Sequence, residues 1–240
     1  MRRLAYITLL LMACNKEPDS SESSDRCALY AVFETGKTPQ ADVVCSDGDA
    51  NSSGLRWLWP DGSMDAFVEA NNHWTLDTER LPQPGETVLL QWDGTHGTTD
   101  VLLEFPPAIV LDLLSADTLF LEQNQPIDVQ WTDLGDDYEY VLSLQCLEEN
   151  ATPIDVIPGN FDALHNGPQV GNTLSLEAQN FTFLGTHRLV IYALNRAFTD
   201  VYFFDPSDIR GLLKMPISNL PGSNGYVMGV TALEIIIEVE

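Results

Sequence analysis

The chain has 240 residues, of which 36 are acidic and 11 basic, so its net charge near neutral pH is −25. A surface this negative repels phosphate groups, which excludes nucleic acids and anionic lipid headgroups as charge-driven partners. Hydrophobic residues make up 44% of the sequence, enough for one large or two modest folded domains. The acidic excess indicates high solubility or a saline habitat, and it leaves divalent cations and basic partners as alternatives.

The chain begins with two arginines, a short apolar run and a cysteine. Arg2 and Arg3 precede the mostly apolar residues 4–12, which are followed by the small residue Ala13 and by Cys14. An apolar run of this length is too short to span a bilayer comfortably, and its basic start is typical of a secretory signal. We therefore predict a signal peptide over residues 1–13.

The sequence Leu11-Met12-Ala13-Cys14 resembles the lipobox of bacterial lipoproteins. In that family a peptidase cuts before the cysteine, whose thiol carries diacylglycerol and whose amine is often acylated. The resemblance implies that Cys14 is the lipid attachment site and that the protein meets a membrane through this anchor. Several acyl chains hold a protein lastingly, since each buried methylene contributes about 0.8 kcal/mol. Asn15 rather than aspartate follows the cysteine, which by the same resemblance favours the outer membrane of the cell envelope.

Residues 14–25 are rich in serine and acidic side chains and show no apolar periodicity. Such a segment cannot bury enough apolar surface to offset the chain entropy that folding removes. We therefore expect a flexible acidic tether between the lipid and a folded body that begins near residue 26.

Three further cysteines follow the tether. Cys27 and Cys45 flank two predicted strands, residues 27–34 and 41–47, which are joined by a short turn. A hairpin brings its two ends together, so we predict a Cys27–Cys45 disulfide, which suits an exported chain. Cys146 is then the odd cysteine and is predicted to be a free buried thiol.

The region up to residue 105 consists of short apolar runs separated by turn signals. Strands are predicted at residues 55–59, 65–70, 73–78, 86–92 and 99–105. Alternation is clear in the last of them, where Val101 and Leu103 share one face while Asp100 and Glu104 point away. The strand before it places Val88, Leu90 and Trp92 on one face. Regular short strands of this kind predict a β-sandwich or a partly open barrel.

Pro106 and Pro107 follow the last of these strands and supply no backbone N–H donors. We place a short semi-rigid linker there. The predicted fold class is all-β, with two tandem β-sandwich domains at residues 26–105 and 108–240.

The second half repeats the alternating pattern. Ile127, Val129 and Trp131 face one way, and the final strand sets apolar residues at 233, 235, 237 and 239 against mostly acidic neighbours. The strand from Tyr138 is predicted to place Tyr138, Tyr140, Leu142, Leu144 and Cys146 inward and Glu139, Val141, Ser143 and Gln145 outward. A tryptophan on an early strand, a tyrosine-led strand and an apolar/acidic last strand resemble the immunoglobulin/fibronectin type III class of sandwich.

A long connection precedes the final strand. Asp205 as N-cap and Pro206 in the first helical position predict a short helix that ends near Lys214. Long loops in compact domains are often functional, but the aromatic and leucine side chains of this one also suit a cover over an open end of the core.

The sequence contains none of the catalytic motifs considered. The four histidines, His73, His96, His165 and His187, lack metal-ligand spacing, and no nucleophile elbow, zinc-protease helix, phosphate loop or dinucleotide fingerprint is present. Acidic residues are so abundant that a glycosidase-like pair cannot be singled out. We therefore predict no catalytic residue, no bound metal and no cofactor, and hence that the protein is not an enzyme.

Two binding hypotheses remain open. Residues 47–53 alternate oxygen ligands as a calcium loop does, but Ser52 and Leu58 replace the expected glycine and glutamate, which favours an ordinary acidic turn. Trp57 and Trp59 share a face and would stack on sugar rings if exposed, whereas Leu55 on that face favours a core.

These patterns together predict a lipid-anchored envelope protein without catalytic activity, which acts as a binding or structural module for an unknown protein or glycan. The alternative is a carbohydrate- or calcium-dependent adhesion module. An unrecognised hydrolase is the third hypothesis.

Overall fold

The computed structural model describes residues 27–45, 54–70, 73–94, 97–112, 118–122, 126–147, 167–177, 181, 185–195, 220 and 224–239. Cys14 with the signal peptide and tether, the acidic turn at residues 47–53 and the helix expected near residues 205–214 lie outside these ranges. So do His96 and His165.

The described residues form strands joined by turns and irregular segments, so the protein is all-β, as predicted. The strands are β1 (Cys27–Glu34), β2 (Gln40–Cys45), β3 (Gly54–Leu58), β4 (Met64–Ala70), β5 (His73–Leu76), β6 (Thr87–Gly94), β7 (Gly97–Glu104), β8 (Thr118–Leu121), β9 (Ile127–Gln130), β10 (Tyr138–Cys146), β11 (Gly167–Gln169), β12 (Thr173–Leu176), β13 (Gly185–Asn195) and β14 (Asn224–Val239).

Strands β1 to β7 and the beginning of β14 surround one core, in the order β14-β1-β2-β5-β4-β3-β6-β7. Strand β4 pairs with β3 through residues 64–66 and with β5 through residues 67–70, so it carries the chain from one sheet to the other. The predicted alternation is confirmed, because Val88, Leu90 and Trp92 are buried in this core. Burial of large apolar side chains is the main favourable term for folding.

The second half is a sandwich. Strands β10, β13 and β14, with β11 and β8 at the edges, form one sheet, and β9 and β12 form the other. Val129, Trp131, Ile191 and Ile237 are buried in the core of this half. The Tyr140 hydroxyl donates a hydrogen bond to the Thr132 carbonyl and accepts one from the Leu134 N–H, both at 2.9 Å, which ties the turn before β10 to that strand.

Strand β14 serves both halves. Residues 224–230 pair with β1 in parallel, whereas residues 230–239 pair with β13 in antiparallel fashion. Val227 faces the first core and Ile235 the second, on the same side of the sheet. Sequence reasoning placed only the last part of this strand. The division of the chain at Pro106 and Pro107 stays a prediction, and the first core takes in Leu220 and Val227 from beyond it.

Two glycines permit β14 to lie where it does. Gly225 has a φ of +113°, and a Cβ on it would overlap the backbone carbonyl of Leu29 on β1. A Cβ on Gly229 would lie 3.0 Å from the Phe105 ring and 3.1 Å from the Glu104 carbonyl oxygen at the end of β7. The close approach of three strands therefore depends on residues without side chains.

The prediction for the outward face of β10 is wrong at two positions. Val141 and Ser143, expected outward, are buried. Val141 belongs to a third apolar cluster on the opposite face of the sheet, whose members are Val32, Val141, Val190, Tyr192, Leu194, Met228 and Val230. Cys146 has a free thiol, as predicted, but it is half-buried because it lies at the end of the strand.

Candidate binding faces

The register of β1 and β2 places Cys27 directly opposite Cys45 at the end of the pair. Directly opposed residues on antiparallel strands are close enough for a disulfide to form with modest backbone adjustment. The side chains of these two cysteines lie outside the described part of the structure, so the disulfide stays a prediction.

The hypothesis that Trp57 and Trp59 stack on sugar rings is wrong. Trp57 is 0% exposed and Trp59 3% exposed, because both point into the first core. The Trp57 ring packs edge-on against Phe33 with 4.9 Å between ring centroids. Leu55 is buried on the same face, in line with the alternative that this face is core.

A charged network surrounds the rim of Trp59. Its indole N–H donates to the Asp65 carboxylate at 2.7 Å, and the Arg80 guanidinium lies over its ring, 4.2 Å from the centroid. Arg80 also donates to Asp61 at 2.8 Å and to Glu86 at 2.7 Å. The network joins the β3–β4 turn to the segment before β6.

The same contacts shift two pKa values. Hydrogen bonds from the hydroxyl and then the backbone N–H of Ser63, together with Arg80, lower the pKa of Asp61 below its ordinary 3.8. Desolvation alone would lower the pKa of Arg80, but its bonds to Glu86 and Asp61 outweigh it and raise that pKa. Arg80 bridges two carboxylates and covers the Trp59 ring, so we interpret the network as a structural clamp.

An apolar row crosses the outer face of the sheet β4-β3-β6-β7. Backbone register aligns Met64 with Leu58, Leu58 with Leu89, and Leu89 with Leu102. Met64 is 57% exposed and Leu102 62% exposed, while Leu58 and Leu89 between them are half-buried. The outer face of such a sheet is normally polar, so this row of four, the apolar row, departs from the usual alternation.

Acidic side chains border the apolar row. Asp100 and Glu104 are exposed on either side of Leu102 along β7. Arg56, which lies on β3 beside the row, forms an ion pair with Asp93 at 3.0 Å. The border is therefore negative, in keeping with the charge of the whole chain.

A second row crosses the outer face of β14-β1-β2-β5. Register aligns Tyr226 with Tyr30, Tyr30 with Asp42, and Asp42 with His73. The two tyrosine rings pack edge-on with 5.5 Å between centroids, and Tyr30 is 38% exposed. His73 Nδ1 lies 2.9 Å from Asp42 Oδ1, and these side chains are 38% and 46% exposed. We call these four residues the tyrosine row.

Sequence reasoning missed both rows. Each is assembled from residues on four strands, and a row becomes visible only when the register of those strands is known. Outward-pointing Leu58, Leu89 and Leu102 were the available signal for the first. For the second, Tyr226 lies in the part of β14 that was not predicted as a strand.

A cavity of about 150 Å³ lies between β7 and β14. Its described lining consists of Val101, Leu102, Leu103, Glu104, Asn195, Val227, Met228 and Gly229. Glu104 is the one ionisable residue among them, so this part of the lining is mainly apolar.

Three further observations on the described ranges concern metal binding, a buried histidine and membrane-spanning helices. Within them, no three His, Cys, Asp or Glu side chains are placed to share a metal ion. His187 is fully buried in the second half, and its Nδ1 lies 3.0 Å from the Gly185 carbonyl oxygen. None of the segments described is a helix with the length and apolarity to cross a membrane.

Comparison with known proteins finds no matching protein family and no matching curated protein. Solved structures with weak similarity include fibronectin(III)-like modules of Clostridium thermocellum CbhA, at 11% identity over 84% of this chain and 91% of that one, with a TM-score of 0.22. Domains 4 and 5 of the S-layer protein SbsC match at 8% identity over 88% and 96%, with a TM-score of 0.23. Rst D1-D2 matches at 10% identity over 90% and 100%, also with a TM-score of 0.23. TM-scores this low support no conclusion about function.

Proposed function

We propose that this protein is a non-catalytic binding module of the bacterial cell envelope, held at the outer membrane by lipid on Cys14. Its binding face is the apolar row, on which a basic amphipathic protein segment docks. The observation that carries this proposal is the exposure of Met64 and Leu102, each more than half accessible, in one continuous row. Contiguous exposed apolar side chains favour an interface, because covering them removes apolar surface from water.

Charge selects the occupant. Asp100 and Glu104 flank Leu102, and the whole chain carries a net charge of −25. A second copy of the same chain would be repelled, whereas lysine or arginine beside apolar side chains would complement both the row and its border. A basic amphipathic segment therefore fits this face better than self-association does.

The described residues also support a role without catalysis. Glu104 is the one ionisable group in the described lining of the cavity between β7 and β14. The Arg80 network pairs its carboxylates with a guanidinium, so they are held in structural contacts. Neither place offers the paired acid and base that general acid–base chemistry requires.

Binding can be tested with the full chain carrying Cys14→Ser and a synthetic amphipathic peptide of leucine and lysine. Calorimetric titration at low salt should show saturable binding. The double variant Met64→Ser/Leu102→Ser should bind at least about tenfold more weakly, because each apolar side chain contributes on the order of 1.5 kcal/mol or more when covered.

The matched control is Val110→Ser/Val170→Ser, which removes two exposed apolar side chains of the second half. It should bind the peptide as the parent does, and a leucine–glutamate peptide should not bind. Equal affinity of the parent and the Met64→Ser/Leu102→Ser variant would show that charge alone attracts the peptide and would refute docking on the apolar row.

The anchor has its own test. Replacing Cys14 with Ser should move the protein from the membrane to the soluble fraction, since the thiol that carries the diacylglycerol is lost, while Cys146→Ser should leave it membrane-bound. Mass spectrometry should find the lipid on the parent protein. Membrane retention of the Cys14→Ser protein with no lipid mass on the parent would refute the anchor.

The disulfide is tested by peptide mapping of the non-reduced protein. The backbone register predicts a Cys27–Cys45 peptide pair and an unmodified Cys146. A Cys45–Cys146 pair would contradict the strand register.

A further inference from the structure

We infer that the cavity between β7 and β14 receives one lysine side chain of the docked segment, with Glu104 as the partner of the lysine ammonium group. This anchor rests on the proposed function, because it is one contact of the basic amphipathic segment that docks on the apolar row. It identifies a side chain that this segment uses and the place where that side chain enters the fold.

The cavity lies where two strands approach each other without pairing. Strand β7 is last in the strand order of the first half. Residues 224–230 of β14 pair with β1, whereas pairing with β13 begins only at Val230. The strands meet at the end of β7, where a Cβ on Gly229 would lie 3.1 Å from the Glu104 carbonyl oxygen. The described strands form no ladder between β7 and β14, and the cavity of about 150 Å³ lies between their edges.

The cavity opens at the end of the apolar row. Leu102 is the last member of that row and also lines the cavity. Glu104, which follows it on the same face of β7, lines the cavity too, and both residues are exposed. Because exposed residues of the outer face form part of the lining, the opening lies on that face. A segment that covers the apolar row therefore passes beside the cavity.

The lining suits the stem of a lysine. Apolar residues from both strands contribute to it, among them Val101, Leu103, Val227 and Met228. A lysine packs its four methylene groups against apolar surface while its ammonium group stays at a polar end. Apolar cavities of about this volume hold a molecule the size of benzene, so one side chain fits here.

Glu104 is available to pair with the ammonium group. Among the described residues, its carboxylate accepts no hydrogen bond and forms no ion pair. By contrast, the Asp100 carboxylate accepts a hydrogen bond from the Gln91 amide at 3.0 Å, and Asp100 is not part of the described lining. An ion pair beside an apolar cavity is screened less by water than one on an open surface.

The chemistry of the lining favours lysine over other occupants. A wholly apolar side chain would leave the Glu104 carboxylate without a partner. An arginine would place a planar group with five N–H donors against a lining that is mainly apolar. An acidic side chain would be repelled by Glu104 and by the net charge of −25.

The test uses the full chain with Cys14→Ser and two peptides of the same pattern, one of leucine and lysine and one of leucine and 2,4-diaminobutyric acid. The second peptide carries the same charges on stems that are two methylene groups shorter. Calorimetry at low salt should show that the parent binds the lysine peptide about tenfold more tightly, because the longer stem buries more apolar surface. Glu104→Gln should weaken binding of the lysine peptide about tenfold and should reduce the preference between the peptides to about threefold or less.

Asp100→Asn is the matched control, because it removes the same charge from the same face of β7 but outside the described lining. It should weaken binding of both peptides by about the same factor and keep the tenfold preference of the parent. Thermal melting shows whether each variant is folded. Equal affinity of the parent for the two peptides, or equal effects of Glu104→Gln and Asp100→Asn, would overturn the inference.

Met64→Ser separates the anchor from docking on the apolar row, because Met64 belongs to the row but not to the described lining. Weaker binding by Met64→Ser with equal effects of the two carboxylate variants would retain the row and refute the anchor. A strong effect of Glu104→Gln with unchanged binding by Met64→Ser would retain the anchor and refute the row. If the parent bound neither peptide, both would be refuted.

Discussion

The apolar row and the tyrosine row are each formed by residues that backbone register aligns across four strands. The two rows draw these residues from different parts of the chain. The apolar row uses four strands that are close together in sequence, between Leu58 and Leu102. The tyrosine row needs Tyr226 from β14, which joins β1 only after the rest of the chain has been traversed. One face is therefore local in sequence, whereas the other depends on closure of the fold by its last strand.

The two rows also differ in the chemistry of their side chains. The apolar row offers four aliphatic side chains with a carboxylate border, so its binding should combine apolar burial with long-range attraction. The tyrosine row consists of an edge-on tyrosine pair and a hydrogen-bonded Asp42–His73 pair, so its side chains are held by short-range contacts with one another. Variants that damage one row and spare the other are the sharpest tests of this comparison.

The largest effect is expected from Gly225→Ala. The new Cβ would overlap the Leu29 carbonyl at a φ of +113°, so β14 would have to move away from β1. We expect a loss of about 3 kcal/mol or more in the free energy of unfolding, measured by denaturant titration.

Gly62→Ala is the control for that variant. Gly62 also has a positive φ, of +84°, but a Cβ added there would meet no atom within 4 Å beyond its chain neighbours, so only backbone strain of about 1 kcal/mol is expected. If the two variants lose equal stability, the close parallel pairing of β14 with β1 is not needed for the fold.

A smaller effect is expected from Trp59→Phe. The change removes the indole N–H that donates to Asp65 at 2.7 Å and leaves a smaller ring under Arg80. We expect a loss of about 1 to 2 kcal/mol in unfolding free energy. Since Trp59 follows Leu58, binding of the leucine–lysine peptide should weaken as well. Unchanged stability and unchanged peptide binding would show that the Trp59 contacts support neither the fold nor the apolar row.

High salt should weaken peptide binding to the apolar row by a few-fold. Raising the ionic strength from about 0.1 M to 1 M shortens the screening length from about 10 Å to 3 Å. Calorimetry should show that the leucine–lysine peptide binds several-fold more weakly at the higher ionic strength. Asp100→Asn/Glu104→Gln should remove part of the salt dependence. Salt-insensitive peptide binding by the parent would contradict the charge argument.

The smallest effect is expected from Asp61→Asn. The folded protein lowers the pKa of Asp61, so the stabilisation from its charged form is fully present above pH 3.8 and is lost as the pH falls below that value. Thermal melts between about pH 2 and pH 5 should show a shallower acid-induced fall in Tm for the variant. Ser63→Ala should act in the same direction, because Ser63 supplies the principal hydrogen bond. An unchanged slope in both would show that Asp61 does not contribute.

Alternation along single strands was predictable because it needs only neighbouring residues. Val101 and Leu103 are buried and Asp100 and Glu104 exposed, as the period of two indicates. The same rule failed at Val141 and Ser143, which are buried. Val141 belongs to the third apolar cluster, which lies on the face that a two-layer sandwich would leave in water. Burial on both faces of a strand cannot be inferred from one strand alone.

The candidate sites depended more heavily on tertiary structure. Trp57 and Trp59 suggested stacking on sugars because an exposed pair and a core pair have the same spacing, and only burial distinguishes them. Tyr30, Asp42 and His73 attracted no attention as a group because nothing in their spacing shows that three strands bring them side by side. Register is a property of pairs of strands, and it requires the folded chain.

The amino-acid sequence by itself determined the all-β class, most strand positions and the acidic surface, because these follow from local periodicity and composition. The expected lipid on Cys14 likewise depends on a local motif. Only the tertiary structure decided that β14 completes both cores and that the outward side chains line up as an apolar row and a tyrosine row. The physical reason is that strand pairing joins residues far apart in sequence, through backbone hydrogen bonds that every residue type can accept and every type except proline can donate.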